Sequence, residues 1–277
     1  MIPAGFEYHR PADVASALGI LQEHGDEARV VAGGHSLIPM MKLRMADLGH
    51  LIDLQDIGEL KGIELDGDML TIGAMVTQHE LITDDRLAGA LPIMREAALQ
   101  IADPQVRYVG TIGGNVANGD PGNDMPGLMQ CLDARFELVG PGGTRQVAAR
   151  GFYQAAYFTA REDDEILTRI TIPVPAAGTG YAYAKQKRKI GDYATAAAAV
   201  LVGKDTASVA MTNLADTPIW SETAGAALAG GDTDGCVAAM LDDIDPQEDM
   251  RGPVAFKNHA AAIVLRRAID SALSRRA

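Results

Sequence analysis

Apolar and polar positions recur at two different periods along this chain, and the changes of period divide it into sections. Near the start, Val14, Leu18 and Leu21 fall at helical spacing, while Val30-Val31 and Leu51-Ile52-Asp53-Leu54 are short runs of strand type. The pattern predicts a small βαβ unit. Residues 35–45, between the two strands, read as a short helical stretch interrupted by Pro39. From Leu60 to Pro175 the period drops to two. Met69-Leu70-Thr71-Ile72, Arg135-Phe136-Glu137-Leu138-Val139 and Ile166-Leu167-Thr168-Arg169-Ile170 alternate as antiparallel strands do. Gly140-Pro141-Gly142-Gly143 predicts a hairpin between two of them. Thr77-Gln78-His79-Glu80 predicts a capping box that opens a helix, and residues 87–101 carry one longer apolar stripe.

Pro173-Val174-Pro175, followed by Gly178 and Gly180, breaks the pattern again. Beyond it, residues 180–189 and 193–202 read as a strand pair and 208–211 as a third strand. Residues 221–228, 234–241 and 254–273 read as helices. The expected fold class is α+β in three domains. Residues 1–56 form a small N-terminal βαβ domain, 57–175 a middle antiparallel-sheet domain, and 176–277 a small three-stranded antiparallel sheet with a helix bundle.

Composition narrows the function. A length of 277 residues exceeds one ordinary core, and 47% apolar residues describe a globular chain. A formal charge of −13 repels a phosphate backbone and argues against nucleic acid. Two cysteines, Cys131 and Cys236, are too few for an iron–sulfur cluster or a four-cysteine zinc site. No secretory segment opens the sequence, so a reducing cytoplasm is expected. The longest apolar run, 194–202, is too short to span a bilayer.

Candidate chemistry concentrates in two glycine turns, Ala32-Gly33-Gly34-His35-Ser36 and Thr111-Ile112-Gly113-Gly114-Asn115. Each follows an apolar or strand-like stretch, offers bare backbone N–H groups, and carries a hydroxyl, Ser36 or Thr111. Such turns hold a diphosphate without lysines. A single Gly-Gly turn usually only reverses the chain; two of this kind point to a clamp on one large nucleotide cofactor. Neither turn reads G-x-G-x-x-G or G-x-x-x-x-G-K-[ST], so a Rossmann site and a P-loop are unsupported. Ser36 sits in no nucleophile elbow, and His79-Glu80 lacks the second histidine of a zinc protease.

These residues resemble the flavoprotein (medium) subunits of molybdenum-containing hydroxylases, within the vanillyl-alcohol-oxidase (PCMH) type of FAD-binding fold. The resemblance covers nearly the whole chain. It includes Tyr8-His9-Arg10-Pro11, the first turn continued by Leu37-Ile38-Pro39, and the block from Ile101-Ala102-Asp103-Pro104-Gln105 to Gly119-Asp120-Pro121-Gly122-Asn123-Asp124-Met125-Pro126. That block, with Lys187-Arg188-Lys189-Ile190-Gly191-Asp192-Tyr193-Ala194-Thr195, is most similar to the carbon monoxide dehydrogenase branch. The resemblance implies FAD as cofactor, with its diphosphate at Ala32, Gly33, Gly34, His35, Ser36 and Leu37 and at Gly110, Thr111, Gly113, Gly114, Asn115 and Ala117. It further implies apolar contacts from Ile101, Ala102 and Val106, a carboxylate at the ribityl chain (Asp124), and a cation at the pyrimidine edge (Lys185). The loop Asp192-Tyr193 would lie against the isoalloxazine. No catalytic residue and no metal ligand are implied.

The implied activity is an electron relay, in which the substrate is oxidised at a molybdenum–copper centre of a large partner subunit. Electrons then cross two [2Fe–2S] clusters of a small iron–sulfur subunit to FAD and leave to a quinone. The implied assembly is a dimer of heterotrimers, cytoplasmic, with at most peripheral association at the inner face of the membrane. Two departures stand out: a short turn at Gly203-Lys204-Asp205, and Ala155 where the family carries glycine. Medium subunits of aldehyde, nicotine or purine hydroxylases share the clamp, and a non-redox nucleotide-binding scaffold remains a rival of another class. Among other residues, His35 is expected to contribute its amide, and Met40, Met41 and Met45 to pack. Arg266, Arg267, Arg275 and Arg276 are expected on the solvated face of the last helix, and Trp220 buried at a helix start.

Overall fold

The computed structural model describes residues 2–277. The predicted βαβ unit is a three-stranded parallel sheet of β1 (Glu7–His9), β2 (Ala28–Val31) and β3 (His50–Asp53), in the order β1-β3-β2. β1 has three residues, mostly exposed, and so leaves no periodicity to read. Helix α1 (Val14–His24) starts where Asp13 accepts the Ser16 N–H at 2.7 Å, and it buries Val14, Ala17 and Leu21 against Ile52. Helix α2 (Leu37–Lys42) tolerates Pro39 because that residue lies in the first turn, where backbone N–H groups have no helical partner anyway. Met41 is buried beneath it. Met40 and Met45 are exposed, contrary to the packing role expected for them.

The middle section contains β4 (Ile63–Asp66), β5 (Met69–Gly73), helices α3 (Gln78–Thr83), α4 (Asp85–Ala90), α5 (Pro92–Ala98), α6 (Pro104–Arg107), α7 (Ile112–Ala117) and α8 (Asp124–Cys131), then β6 (Arg135–Gly140), β7 (Gly143–Ala148), the small hairpin β8 (Tyr153–Ala155) and β9 (Phe158–Thr159), and β10 (Ile166–Pro173). Its sheet is antiparallel in the order β4-β5-β10-β6-β7. The capping box forms as predicted: Thr77 and Glu80 satisfy each other's backbone N–H groups. The stripe at 87–101 is not one helix. The chain leaves the helical region at Leu91 and restarts at Pro92, whose missing N–H suits a first helical position.

The last sheet is antiparallel, β11 (Gly180–Gln186), β12 (Ala196–Val202), β13 (Ala207–Thr212) and β14 (Ile219–Trp220), followed by α9 (Glu222–Ala229), α10 (Thr233–Asp243) and α11 (Val254–Ser274). Strand β12 is buried on both faces. Ala197 and Ala199 join the core of the middle section, whereas Ala196, Ala198, Val200 and Val202 pack under the helices. Its apolar run is therefore continuous rather than alternating. A two-residue fourth strand extends the expected three. It carries Trp220, which is only half-buried, outside a helix, under the Arg150 guanidinium at 3.8 Å from the ring centroid. Arg275 is not free in solvent as expected, because it donates to Glu96 Oε1 at 2.6 Å and to the Tyr181 carbonyl at 2.9 Å, tying α11 to α5 and β11.

A buried carboxylate closes the middle sheet. Glu165 accepts from Arg145 Nε and Nη2 at 2.6 and 2.7 Å and from its own neighbour's N–H at Glu162, 2.8 Å. These bonds hold its carboxyl below the usual range. A depressed folded value means that its contribution to stability is complete above the ordinary value of 4.5 and fades as pH falls through the folded value. Glu165→Gln is expected to lose about 1.5–3 kcal/mol at pH 7. Urea midpoints of wild type and variant are expected to converge in acid; equal midpoints at pH 7 would contradict the assignment.

Candidate cofactor-binding site

The first glycine turn leaves β2, whereas the second is no free turn but the N-cap and first helical turn of α7, and the fold presses the two together. A side chain on Gly33 would place its Cβ 2.5 Å from the Val109 carbonyl oxygen and 2.7 Å from Gly110 Cα. Across the same seam, the Cβ direction of Gly114 leads to Ala32 Cβ at 3.5 Å, and that of Gly110 to His35 Cδ2 at 3.5 Å. Gly34 has φ +71°, a region glycine occupies without strain. Residues from two different sections of the chain thus form one continuous bend pair.

The two bends differ chemically. Among the described residues, the backbone N–H groups of Gly33, Gly34, His35, Ser36 and Leu37 have no hydrogen-bond partner, and Ser36 makes no capping bond with its hydroxyl. Successive unpaired amides form a concavity suited to an anion. In the second bend most amides are already used. Ile112 donates to Val76 O and Gly113 to Ala74 O, each at 2.9 Å, Gly114 to Thr111 Oγ1 at 3.1 Å, and Asn115 to Thr111 O at 3.1 Å. Thr111 still offers its own N–H and the hydroxyl hydrogen that its capping role leaves free. Beside it, Asn115 Oδ1 and both side-chain amide atoms of Gln78 are buried without a partner. Such orphaned groups are costly unless something binds them. Gln78, whose backbone N–H bonds the Gly110 carbonyl, carried no signal in the sequence beyond its place in the capping box.

A second cluster lies at the start of α8. Asp124, buried, accepts from Tyr183 OH at 2.5 Å on one oxygen and from Lys185 Nζ at 2.8 Å on the other. Lys185 also donates to the Gln100 carbonyl at 3.3 Å, and its side chain is 1% exposed. Burial pushes the Asp124 carboxyl up against the opposing pull of Lys185 and Tyr183, and burial with Asp124 beside it raises Tyr183 well above its ordinary value. Tyr183 therefore keeps its proton as donor. Lys185 is thus held as one half of a buried ion pair with Asp124. The Lys187 ammonium makes no hydrogen bond among the described residues. Burial first, then Lys185, lowers its pKa, and Arg107 acts in the same direction. Lys187 follows β11 directly, two residues after Lys185, and that spacing was the available signal for it.

The loop after β11 packs against Ala102 and Gly122. Gly191, φ +81°, sits on Ala102, whose carbonyl oxygen is 3.4 Å from where its Cβ would be. Ala102 itself has φ +43°, rare for alanine, and Arg107 Nη1 fixes the bend by donating to the Ile101 carbonyl at 2.9 Å. Asp192 accepts from Arg188 Nε at 2.9 Å and from the Tyr193 N–H at 3.0 Å. Tyr193 is 41% exposed rather than a core residue, and its ring lies on Gly122, 2.8 Å from that residue's Cβ position. It edges a cleft of about 250 Å³ with Asp120, Gly122, Tyr157, Asn213 and Arg251. Burial and Asp120 push its hydroxyl up to about 12. Val106, Gly110 and Ala117 are half-buried between these groups, and Ile101 is buried.

A row of unpaired backbone amides at the seam of a small parallel sheet and an antiparallel sheet, with a third sheet behind, is the architecture of a flavin-binding protein. Residues 4–175 match a model of the FAD binding domain in molybdopterin dehydrogenase, and residues 181–272 a model of the CO dehydrogenase flavoprotein C-terminal domain. The chain belongs to this FAD-binding family of molybdopterin dehydrogenases, and its cofactor is FAD. It is 56% identical to the carbon monoxide dehydrogenase medium chain of Afipia carboxidovorans over 99% of both chains. The structure superposes on reconstituted CO dehydrogenase from Oligotropha carboxidovorans with TM-score 0.97 and 55% identity, covering 99% of this chain and 100% of the other. The nicotine 6-hydroxylase medium subunit of Paenarthrobacter nicotinovorans is 33% identical over 73% of this chain and 70% of its own. The family resemblance and the fold class read from the motifs are borne out.

Proposed function

We propose that this chain is the FAD-carrying electron-transfer subunit of a carbon monoxide-oxidising molybdenum hydroxylase. The full-length identity with a carbon monoxide dehydrogenase medium chain carries the reading, since the nicotine-hydroxylase relative is both more distant and partial. The partners are an iron–sulfur subunit and a molybdenum subunit, in a dimer of heterotrimers. Division of the chain at 1–56, 57–175 and 176–277 gives each domain one of the three larger sheets, with the small β8-β9 hairpin in the middle one. Among the described residues no helix is long and apolar enough to cross a membrane. Cytoplasmic assembly, with peripheral contact where a quinone is reduced, completes the reading.

The residues divide the work by chemistry. The free amides of Gly33 to Leu37, with the Ser36 and Thr111 hydroxyls, hold the diphosphate. Asn115 and Gln78 supply buried amide groups to the cofactor, and Ile101, Ala102 and Val106 exclude water beside it. Bound FAD accepts electrons singly and releases them in pairs. Lys187 places positive charge near the ring, Lys185 and Asp124 brace the strand that presents it, and Tyr193 shields the open side. No general acid, base or nucleophile is needed from this chain.

The test is reduction of flavin absorbance in the complex assembled with both partner subunits. Carbon monoxide is expected to bleach it within the turnover time, whereas an aldehyde, nicotine or a purine leaves it oxidised. Bleaching by one of those instead would reassign the substrate. Absence of flavin after reconstitution with FAD would return the chain to the scaffold reading.

A further inference from the structure

Three of the six histidines meet in the N-terminal sheet, apart from the residues of the two glycine bends. His9 ends β1, His50 begins β3, and His24 ends α1, so three separate elements deliver them. The parallel register pairs His9 with Ile52, which puts His9, His50 and Ile52 on the face that α1 covers, and the last turn of α1 brings His24 down onto it. One ligating nitrogen from each ring lies within 4.8 Å of the others. His9 Nε2 and His50 Nδ1 are 3.0 Å apart, and the Glu7 carboxylate stands 3.7 Å from His50 Nδ1. All three imidazoles are half-buried.

We propose that His9, His24 and His50 form a binding site for a divalent first-row transition metal of the Zn²⁺ class, with Glu7 completing the donor set. Zinc bound by imidazoles at about 2.0–2.1 Å in tetrahedral geometry separates neighbouring nitrogens by about 3.3 Å, close to the spacing of His9 and His50. Three neutral imidazoles and one carboxylate are a borderline donor set, favouring zinc, nickel or copper over magnesium or calcium. The His24 ring is stacked on His50 with centroids 3.5 Å apart and planes 8° from parallel. Parallel rings aim their lone pairs side by side, so His24 tilts out of the stack to share the ion. The half-buried rings border no cleft assigned to substrate, which makes the site structural. It pins the C-terminal end of α1 to β1 and β3.

The experiment uses the full-length chain, free of any histidine tag and stripped with chelator, titrated calorimetrically with Zn²⁺. Wild type is expected to bind one equivalent and to melt at higher temperature with the metal than without. His24→Ala and His50→Ala are each expected to weaken binding roughly tenfold or more and to abolish the melting shift, with FAD content unchanged. Should either variant fail to fold by circular dichroism, His9→Gln carries the comparison. No Zn²⁺ binding by wild type, or binding by folded variants at wild-type affinity, would overturn the site.

Discussion

Gly33→Ala is expected to yield folded protein without FAD. The new methyl would sit 2.5 Å from a carbonyl oxygen and 2.7 Å from an α-carbon, both backbone atoms of Val109 and Gly110 that no rotamer change relieves. The strain reaches the top of the roughly 1–3 kcal/mol usual for overpacking, or beyond it, and the chain escapes by moving the two bends apart. That movement removes the row of amides from the position facing Thr111. Gly33 lies outside the buried clusters, so secondary structure survives. The ratio of flavin to protein absorbance, read beside circular dichroism, checks the outcome. Normal FAD stoichiometry in this variant would show that the bends do not form a common cradle.

Asp124→Asn is expected to cost about 3–5 kcal/mol, because it leaves the Lys185 ammonium buried with no counter-charge and offers Tyr183 an altered acceptor. The loss would appear as a lower urea midpoint with an unchanged slope. Pairing it with Lys185→Met separates the two effects, since removing both charges relieves most of the penalty. A double variant no more stable than Asp124→Asn would mean that the pair is not coupled. Asp124 therefore acts on the cofactor region as a brace for β11.

Much of this was legible in the sequence, for identifiable physical reasons. The hairpin at Gly140 to Gly143, the capping box and the long last helix depend on local rules, and they stand where those rules put them. Strand β1 and strand β14 were missed because two or three residues cannot show a period. The 87–101 stripe misled because two helices, α4 and α5, separated at Leu91, bury residues in one core. At the site, the glycines were visible and their juxtaposition was not, since nothing local says that Gly33 touches Val109. The same limit hid the pairing of Lys185 with Asp124 and the unpartnered amide of Gln78. Long-range polar pairing leaves no periodic trace.

The seam at Gly33 also sets an order of assembly. One wall of the phosphate cradle is complete once Leu37 has been synthesised, but the opposing wall does not exist until Asn115 has followed. On the proposed reading, a nascent chain cannot retain its dinucleotide early, and loading becomes a checkpoint late in biogenesis. Once in place, the prosthetic group acts as a rivet between the amino-terminal sheet and its neighbour, and its binding energy is shared by both.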